Sequence, residues 1–137
     1  GTGADNEVWS FGEEAYPILV KFIQIREKMR DYTREMMKQA SETGAPVMRA
    51  MFYEFPQDKN CWDLTDQFMF GSDILVAPIV YEKAMKRTVY LPEGATWTLA
   101  STGEQFPGGQ TVEVDAPLST LPIFLRDGKQ RYLVGEI

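Results

Sequence analysis

The chain contains no histidine and a single cysteine, Cys61. Without histidine, a Ser-His-Asp triad, a histidine general base and a histidine-ligated zinc site are all excluded within these residues. One cysteine cannot form an internal disulfide. No run approaches about 18 consecutive apolar residues, so no segment reads as a membrane-spanning helix. Basic residues are the minority. Fourteen Lys and Arg against 20 Asp and Glu leave a net charge of −6, which argues against nucleic acid or an anionic membrane as the main partner. Any acid–base chemistry inside this chain would fall to carboxylates, lysine or tyrosine.

What is present is ordinary for a globular protein: 44% hydrophobic and 25% charged residues. The 137 residues suffice for one domain, or for a domain and part of its neighbour. Residues Gly1–Gly12 read as a loop rich in turn formers, anchored by Trp9 and Phe11. From about Glu13 to Thr43 the periodicity is helical. Ile18, Phe22, Ile25, Met29, Tyr32 and Met36 recur at spacings of four and three, and Leu19, Ile23, Met37 and Ala40 widen the stripe. Glu13 and Glu14 suit the first turn, Pro17 is tolerable only near the start, and Gly44 followed by Pro46 stops the helix. A single helix from Pro17 would be roughly 39 Å long. Its opposite face, with Arg26, Lys28, Arg30, Arg34, Glu35 and Lys38, reads as solvated.

Val47–Phe55 is a nearly continuous apolar run between two prolines, which suits a parallel strand buried on both faces. Arg49 and Glu54 interrupt it, and a charge there needs a partner. Asp58–Phe70 reads as a linker with a short helix around Leu64–Met69, ended by Gly71. The pattern then changes. Ile74–Val80, Arg87–Leu91, Thr96–Ala100, Thr111–Asp115, Leu121–Arg126 and Arg131–Val134 read as short strands separated by turn signals such as Pro92-Glu93-Gly94 and Pro107-Gly108-Gly109. Strands at this spacing indicate an antiparallel sandwich.

Several pieces, in order, resemble the C-terminal part of glycoside hydrolase family 31, the α-glucosidase and α-xylosidase family. They include Trp9-Ser10-Phe11-Gly12, Pro46-Val47-Met48-Arg49, Phe55-Pro56, Asp66-Gln67-Phe68 and Gly71-Ser72-Asp73. Leu75-Val76-Ala77-Pro78, Val89-Tyr90-Leu91-Pro92, Gly108-Gly109-Gln110-Thr111 and Leu121-Pro122-Ile123-Phe124 continue the series. The resemblance implies an α+β piece of a larger enzyme: the last helix and strand of a (β/α)8 barrel, followed by an antiparallel β-sandwich. Residues 1–70 would be the end of the catalytic barrel (loop, long helix, last strand, short helix), and residues 71–137 the proximal C-terminal sandwich. It also implies a retaining exo-acting α-glycosidase, most readily an α-glucosidase releasing terminal glucose from oligosaccharides, with an α-xylosidase as the alternative. Such enzymes use two aspartates through a covalent glycosyl intermediate. The resemblance puts both aspartates, and a substrate-binding histidine, before Gly1. No catalytic residue, cofactor or metal site is therefore assigned to this chain.

Individual residues carry competing readings. Asp5, Glu7 and Trp9 lie where a barrel loop would rim the active face, although Trp9 and Phe11 serve equally as staples. Asp63, Asp66 and Asp73 fit capping and solvation better than a metal site, because no calcium-loop pattern accompanies them. Arg49 reads as one half of a buried ion pair, Cys61 as a packed inert thiol, and the methionines from Met29 to Met51 as core filling. A reading from a different class makes the sandwich a carbohydrate-binding module, with Tyr90, Trp97, Phe106 and Tyr132 as a sugar platform. Finally, a barrel strand without its neighbours seeks a partner. Self-association through Val47–Phe55 and the stripe from Ile18 to Met36 is expected of the isolated chain.

Overall fold

The computed structural model describes residues 16–78, 86–115 and 121–135. Asp5, Glu7, Trp9, Phe11, Glu13 and Glu14, the end of the expected strand at Ile79–Val80, and the side chains of Ile18, Leu19 and Phe22 lie outside what is described. The described residues begin with two successive helical pieces, α1 (Tyr16–Lys28) and α2 (Arg30–Thr43). They are the expected long helix with one distortion. Met29 takes φ −98° and ψ 18°, and its N–H is shared between the carbonyls of Ile25 (3.1 Å) and Arg26 (3.2 Å). Gly44 ends α2 in the left-handed conformation, φ 80°, with its N–H on the Ala40 carbonyl. The described part of the predicted stripe is buried: Ile25, Met29, Tyr32 and Met36 all face inward. Ile23 and Met37, expected to widen it, are exposed.

Among the described residues eight strands follow: β1 (Met48–Ala50), β2 (Phe68–Phe70), β3 (Ile74–Val76), β4 (Lys86–Leu91), β5 (Thr96–Leu99), β6 (Gln105–Pro107), β7 (Gln110–Asp115) and β8 (Ile123–Arg126). A one-turn helix, α3 (Met51–Glu54), sits directly after β1. Six strands form one sheet in the order β1-β2-β3-β8-β5-β6, and β4 pairs with β7 in a second. Every pairing is antiparallel.

The six-stranded sheet is the middle of three layers. Because side chains alternate along a strand, Phe70, Ile74, Val76, Ile123 and Leu125 meet the helix stripe on one face. Met69, Leu75, Phe124, Trp97 and Leu99 fill the other, where Val89, Leu91 and Val114 of the β4–β7 pair cover them. Trp97 is fully buried there, donating its indole N–H to the Pro92 carbonyl at 3.0 Å. Truncating so large a buried aromatic typically costs about 3–5 kcal/mol.

The architecture corrects four expectations. Val47–Phe55 is not one parallel strand. It is a three-residue antiparallel strand beside β2, with only Arg49 buried, and then a helical turn. Arg49 explains the turn. Five strand residues would hold Arg49 and Glu54 roughly 17 Å apart, whereas α3 brings Glu54 Oε2 to 2.7 Å from Arg49 Nη1. The short helix expected at Leu64–Met69 is absent. Its end is β2, which is completed by pairing with β1 and β3 rather than by local propensity. Arg131–Val134 is not a strand but a 3-10 turn over Arg131–Leu133. Asp127 and Gln130 adopt positive φ before it, and Leu133 is thereby turned into the core. Gln105–Pro107, which the expected strands omit and whose Pro107 reads as a turn signal, is the edge strand β6. The barrel remnant is thus not visible as a parallel unit. What stands is a small antiparallel, β-rich domain with one helix laid across it.

One contact clamps the helix to the sheet. Tyr32 Oη donates to the Phe70 carbonyl at 2.6 Å and accepts from the Asp73 N–H at 3.1 Å. Burial drives the phenol far above its ordinary titration range. This clamp requires Gly71 between them. Gly71 has φ 66°, and a Cβ there would lie inside the van der Waals envelope of Tyr32 Oη and Met36 Sδ. Gly71→Ala is therefore expected to lower unfolding stability by about 2 kcal/mol or more, through strain and overpacking together. Urea denaturation measures it; a loss below about 0.5 kcal/mol would show that the helix is not seated on this turn.

Candidate functional site

The described polar residues gather at three places. The first is an ion-pair network behind β1. Glu54 bridges two guanidiniums, with Oε2 at 2.7 Å from Arg49 Nη1 and Oε1 at 2.9 Å from Arg126 Nη1. Arg49 also donates to the Pro46 carbonyl at 2.6 Å, and Arg126 to the Ser72 carbonyl at 3.0 Å. The Arg126 guanidinium lies 4.6 Å from the Phe55 ring centroid, and that of Arg49 lies 5.6 Å from the centroid of Tyr53. Arg49 is thus the buried ion-pair partner that its place in an apolar run demanded. Its Nη2 has no partner among the described residues.

Asp73 lies beside this network, accepting from Ser72 Oγ at 2.9 Å and from Gln130 Nε2 at 3.0 Å. Asp66 pairs with Arg87, which also donates to the Asp66 backbone carbonyl. Asp63 is exposed. Among the described residues no group of three His, Cys, Asp or Glu could hold a metal ion. The three aspartates are brought to three different places.

The third assembly joins the loop after α3 to β4, and sequence reasoning missed it. Asp58 is buried and accepts three hydrogen bonds: from Tyr90 Oη at 2.6 Å, the Glu93 N–H at 2.9 Å and the Asn60 N–H at 3.0 Å. Burial pushes its carboxyl upward, but these bonds outweigh it and hold the carboxyl below its ordinary value. Burial, then the bond to Asp58, pushes the Tyr90 hydroxyl up to about 12. Gln67 completes the join by imitating a strand. Its Nε2 donates to the Tyr90 carbonyl at 2.7 Å, and its Oε1 accepts from the Tyr90 N–H at 3.1 Å. The only hint in the sequence was a turn former, Asp58, two residues before Asn60.

Cys61 is fully buried. Burial, aided by the nearby Asp58 charge, pushes its thiol up to about 12, so it is unreactive at neutral pH. The aromatic platform does not form. Trp97 is inside the core, Phe106 packs edge-on against Phe124 at 6.1 Å, and only Tyr132 is freely exposed. Glu54, Asp58 and Asp73 are each held by two or more donors.

Two clefts remain. An apolar one of about 390 Å³ lies between the helix and the sheet, bounded by Met29, Met37, Met48, Phe68, Val76 and Ile123. A polar one of about 330 Å³ lies between the Asn60 loop and the start of β7.

Asp58 yields a pH prediction. Its folded pKa is depressed, so its contribution to stability is complete above the ordinary carboxylate value and is lost as pH falls through the folded value. Unfolding stability of the native chain should therefore fall more steeply below about pH 4 than that of Asp58→Asn. Parallel slopes for the two proteins in denaturant titrations across that window would contradict the assignment.

Comparison with known proteins places this geometry. The profile of the glycosyl hydrolase family 31 C-terminal domain matches residues 44–129. Alpha-glucosidase 2 of Bacillus thermoamyloliquefaciens is 41% identical over 122 residues, which is 89% of this chain and 15% of that protein. The structure of a family 31 α-xylosidase from a soil metagenome, complexed with xylose, superposes with a TM-score of 0.81 at 42% identity. That match covers 93% of this chain and 19% of the other. A mutant dextranase of Flavobacterium johnsoniae complexed with isomaltotriose superposes at 0.80 and 40% identity, covering 89% and 15%. The chain therefore spans less than a fifth of the length of each of these relatives.

Proposed function

The chain belongs to glycoside hydrolase family 31, a family of glycoside hydrolases, and from that premise we propose that it is the supporting C-terminal portion of a retaining exo-α-glycosidase. The substrate proposed for the whole enzyme is a terminal α-linked glucose on an oligosaccharide, as in an α-glucosidase. The observation that carries this reading is the family match across residues 44–129, joined to a 41% identical α-glucosidase. An α-xylosidase is the second reading, favoured by the 42% identical xylose complex.

In this proposal residues 1–70 end the catalytic barrel and residues 71–137 form the proximal sandwich. The exposed edge of β1 and the apolar cleft beneath α1 and α2 support it. Met37 and Met48 line that cleft while remaining more than half exposed, 59% each. Such a surface is costly in water unless covered. The role of these residues is mechanical. A retaining mechanism needs two carboxyl groups held about 5–5.5 Å apart across the scissile bond. The carboxylates that this chain buries are instead bound to arginines, tyrosine and backbone, where they fix the sheet.

The test is a paired assay. The complete enzyme should turn over an aryl α-glucoside in preference to an aryl α-xyloside, whereas residues 1–137 alone should turn over neither. The isolated chain should also sediment as a dimer or larger, through the uncovered β1 edge and helix face. Robust hydrolysis by the isolated chain would overturn the support role; preference for the xyloside would select the second reading. A sharply monomeric sedimentation profile would contradict the uncovered surface.

A further inference from the structure

We propose that the polar cleft between the Asn60 loop and β7 is an accessory binding site for a neutral α-linked oligosaccharide. The choice of ligand rests on the functional reading above; the site itself rests on its geometry. Its walls are Asn60, Leu64, Tyr90, Gly109, Gln110 and Thr111.

No wall residue carries a formal charge. A phosphate or carboxylate ligand would call for arginine or lysine, and a cation for a carboxylate shell. Asp58, behind Tyr90, is buried and saturated by its three donors, and a single exposed carboxylate side chain, Glu93, lies beside Gly109 at the rim, which is too few oxygens for a cation shell. What lines the cleft is a mixture of amides, a hydroxyl, an aromatic ring and one aliphatic side chain. That mixture matches a sugar, which presents hydroxyls at its rim and C–H groups on its faces.

The wall is also prearranged. The Tyr90 hydroxyl donates to Asp58 and accepts from Asn60 Nδ2 at 3.2 Å, so the ring and the Asn60 amide hold one another in place. Gln67 pins the Tyr90 backbone on both its N–H and its carbonyl. Gln110 is oriented by donating to the Pro107 carbonyl at 2.8 Å. Meanwhile, Thr111 Oγ1 and the amide oxygens of Asn60 and Gln110 have no protein partner among the described residues. A ligand would meet oriented groups that need no reordering, which lowers the entropic cost of binding. The cleft lies on the β4–β7 side of the sheet, opposite the apolar face under the helix, so a covered helix face leaves it open.

Saturation-transfer difference NMR on the 137-residue chain with maltotriose and isomaltotriose tests the site, and it tolerates self-association. Binding in about the millimolar range is expected, as befits a shallow polar cleft. Thr111→Val, which keeps the strand shape and removes the hydroxyl, should weaken it several-fold, and so should Asn60→Ala. Unchanged amide spectra away from the cleft establish that each variant is folded. Absence of transfer to the native chain, or transfer that neither variant reduces, overturns the site. Hydrolysis by the complete enzyme is scored separately: turnover without saturation transfer removes this site alone. Failure of the enzyme on both aryl glycosides removes the functional reading, while the variants still decide whether the cleft binds.

Discussion

Glu54 stands between two arginines, and the arrangement of this chain depends on that carboxylate. Arg49 belongs to β1 and Arg126 to β8, so one side chain ties together strands 77 positions apart. Neither arginine could be tolerated in its buried or half-buried place without it. The bridge also dictates local structure. It needs the chain to curl straight after β1, which is why an apolar run ends in a helical turn. That curl directs Met51 and Phe55 into the core beside Trp97. Buried pairs of this kind are expensive to dismantle from one side, because a lone buried charge remains.

Around this tie the domain is a three-layer object. The middle sheet is buried on both faces, by a helix on one side and a two-stranded sheet on the other. Tyr32 and Gly71 fix the helix, and Asp58, Gln67 and Tyr90 fix the β4–β7 layer. The polar groups that look chemically interesting in the sequence are spent on these joins. Glu54, Asp58 and Asp73 are each tied to two or more donors, which is what the proposed supporting role asks of them.

Much of the fold was legible in the sequence, and the misses share a cause. The Ile25, Met29, Tyr32 and Met36 stripe, the Gly44 cap and the strands β4, β5, β7 and β8 follow from local periodicity and turn chemistry. The burial of Arg49 with a carboxylate followed from the cost of a charge in an apolar run. The errors arose where long-range pairing decides. Two-sided burial suggests a parallel strand, yet Ile74–Val76 is buried on both faces in an antiparallel sheet. Phe68 and Met69 read as the end of a short helix until β1 and β3 flank them. Arg131–Val134 has strand composition, but the positive φ of Gln130 turns it. At the site level, inertness of Cys61 was legible, whereas the Asp58–Tyr90–Gln67 join was not. It unites residues up to 32 positions apart, and no local pattern marks such a contact.

The account makes β1, β2 and the C-terminal strands one cooperative body joined through Glu54. Native-state hydrogen exchange addresses this directly, because it assigns an opening free energy to each amide. The account predicts that the paired amides of Met48–Ala50 and Phe68–Phe70 open together with those of Ile123–Arg126, and that Glu54→Gln lowers all of them alike. Exchange of β1 and β2 through a separate opening, several kcal/mol cheaper than that of β8, and insensitive to Glu54, would contradict it.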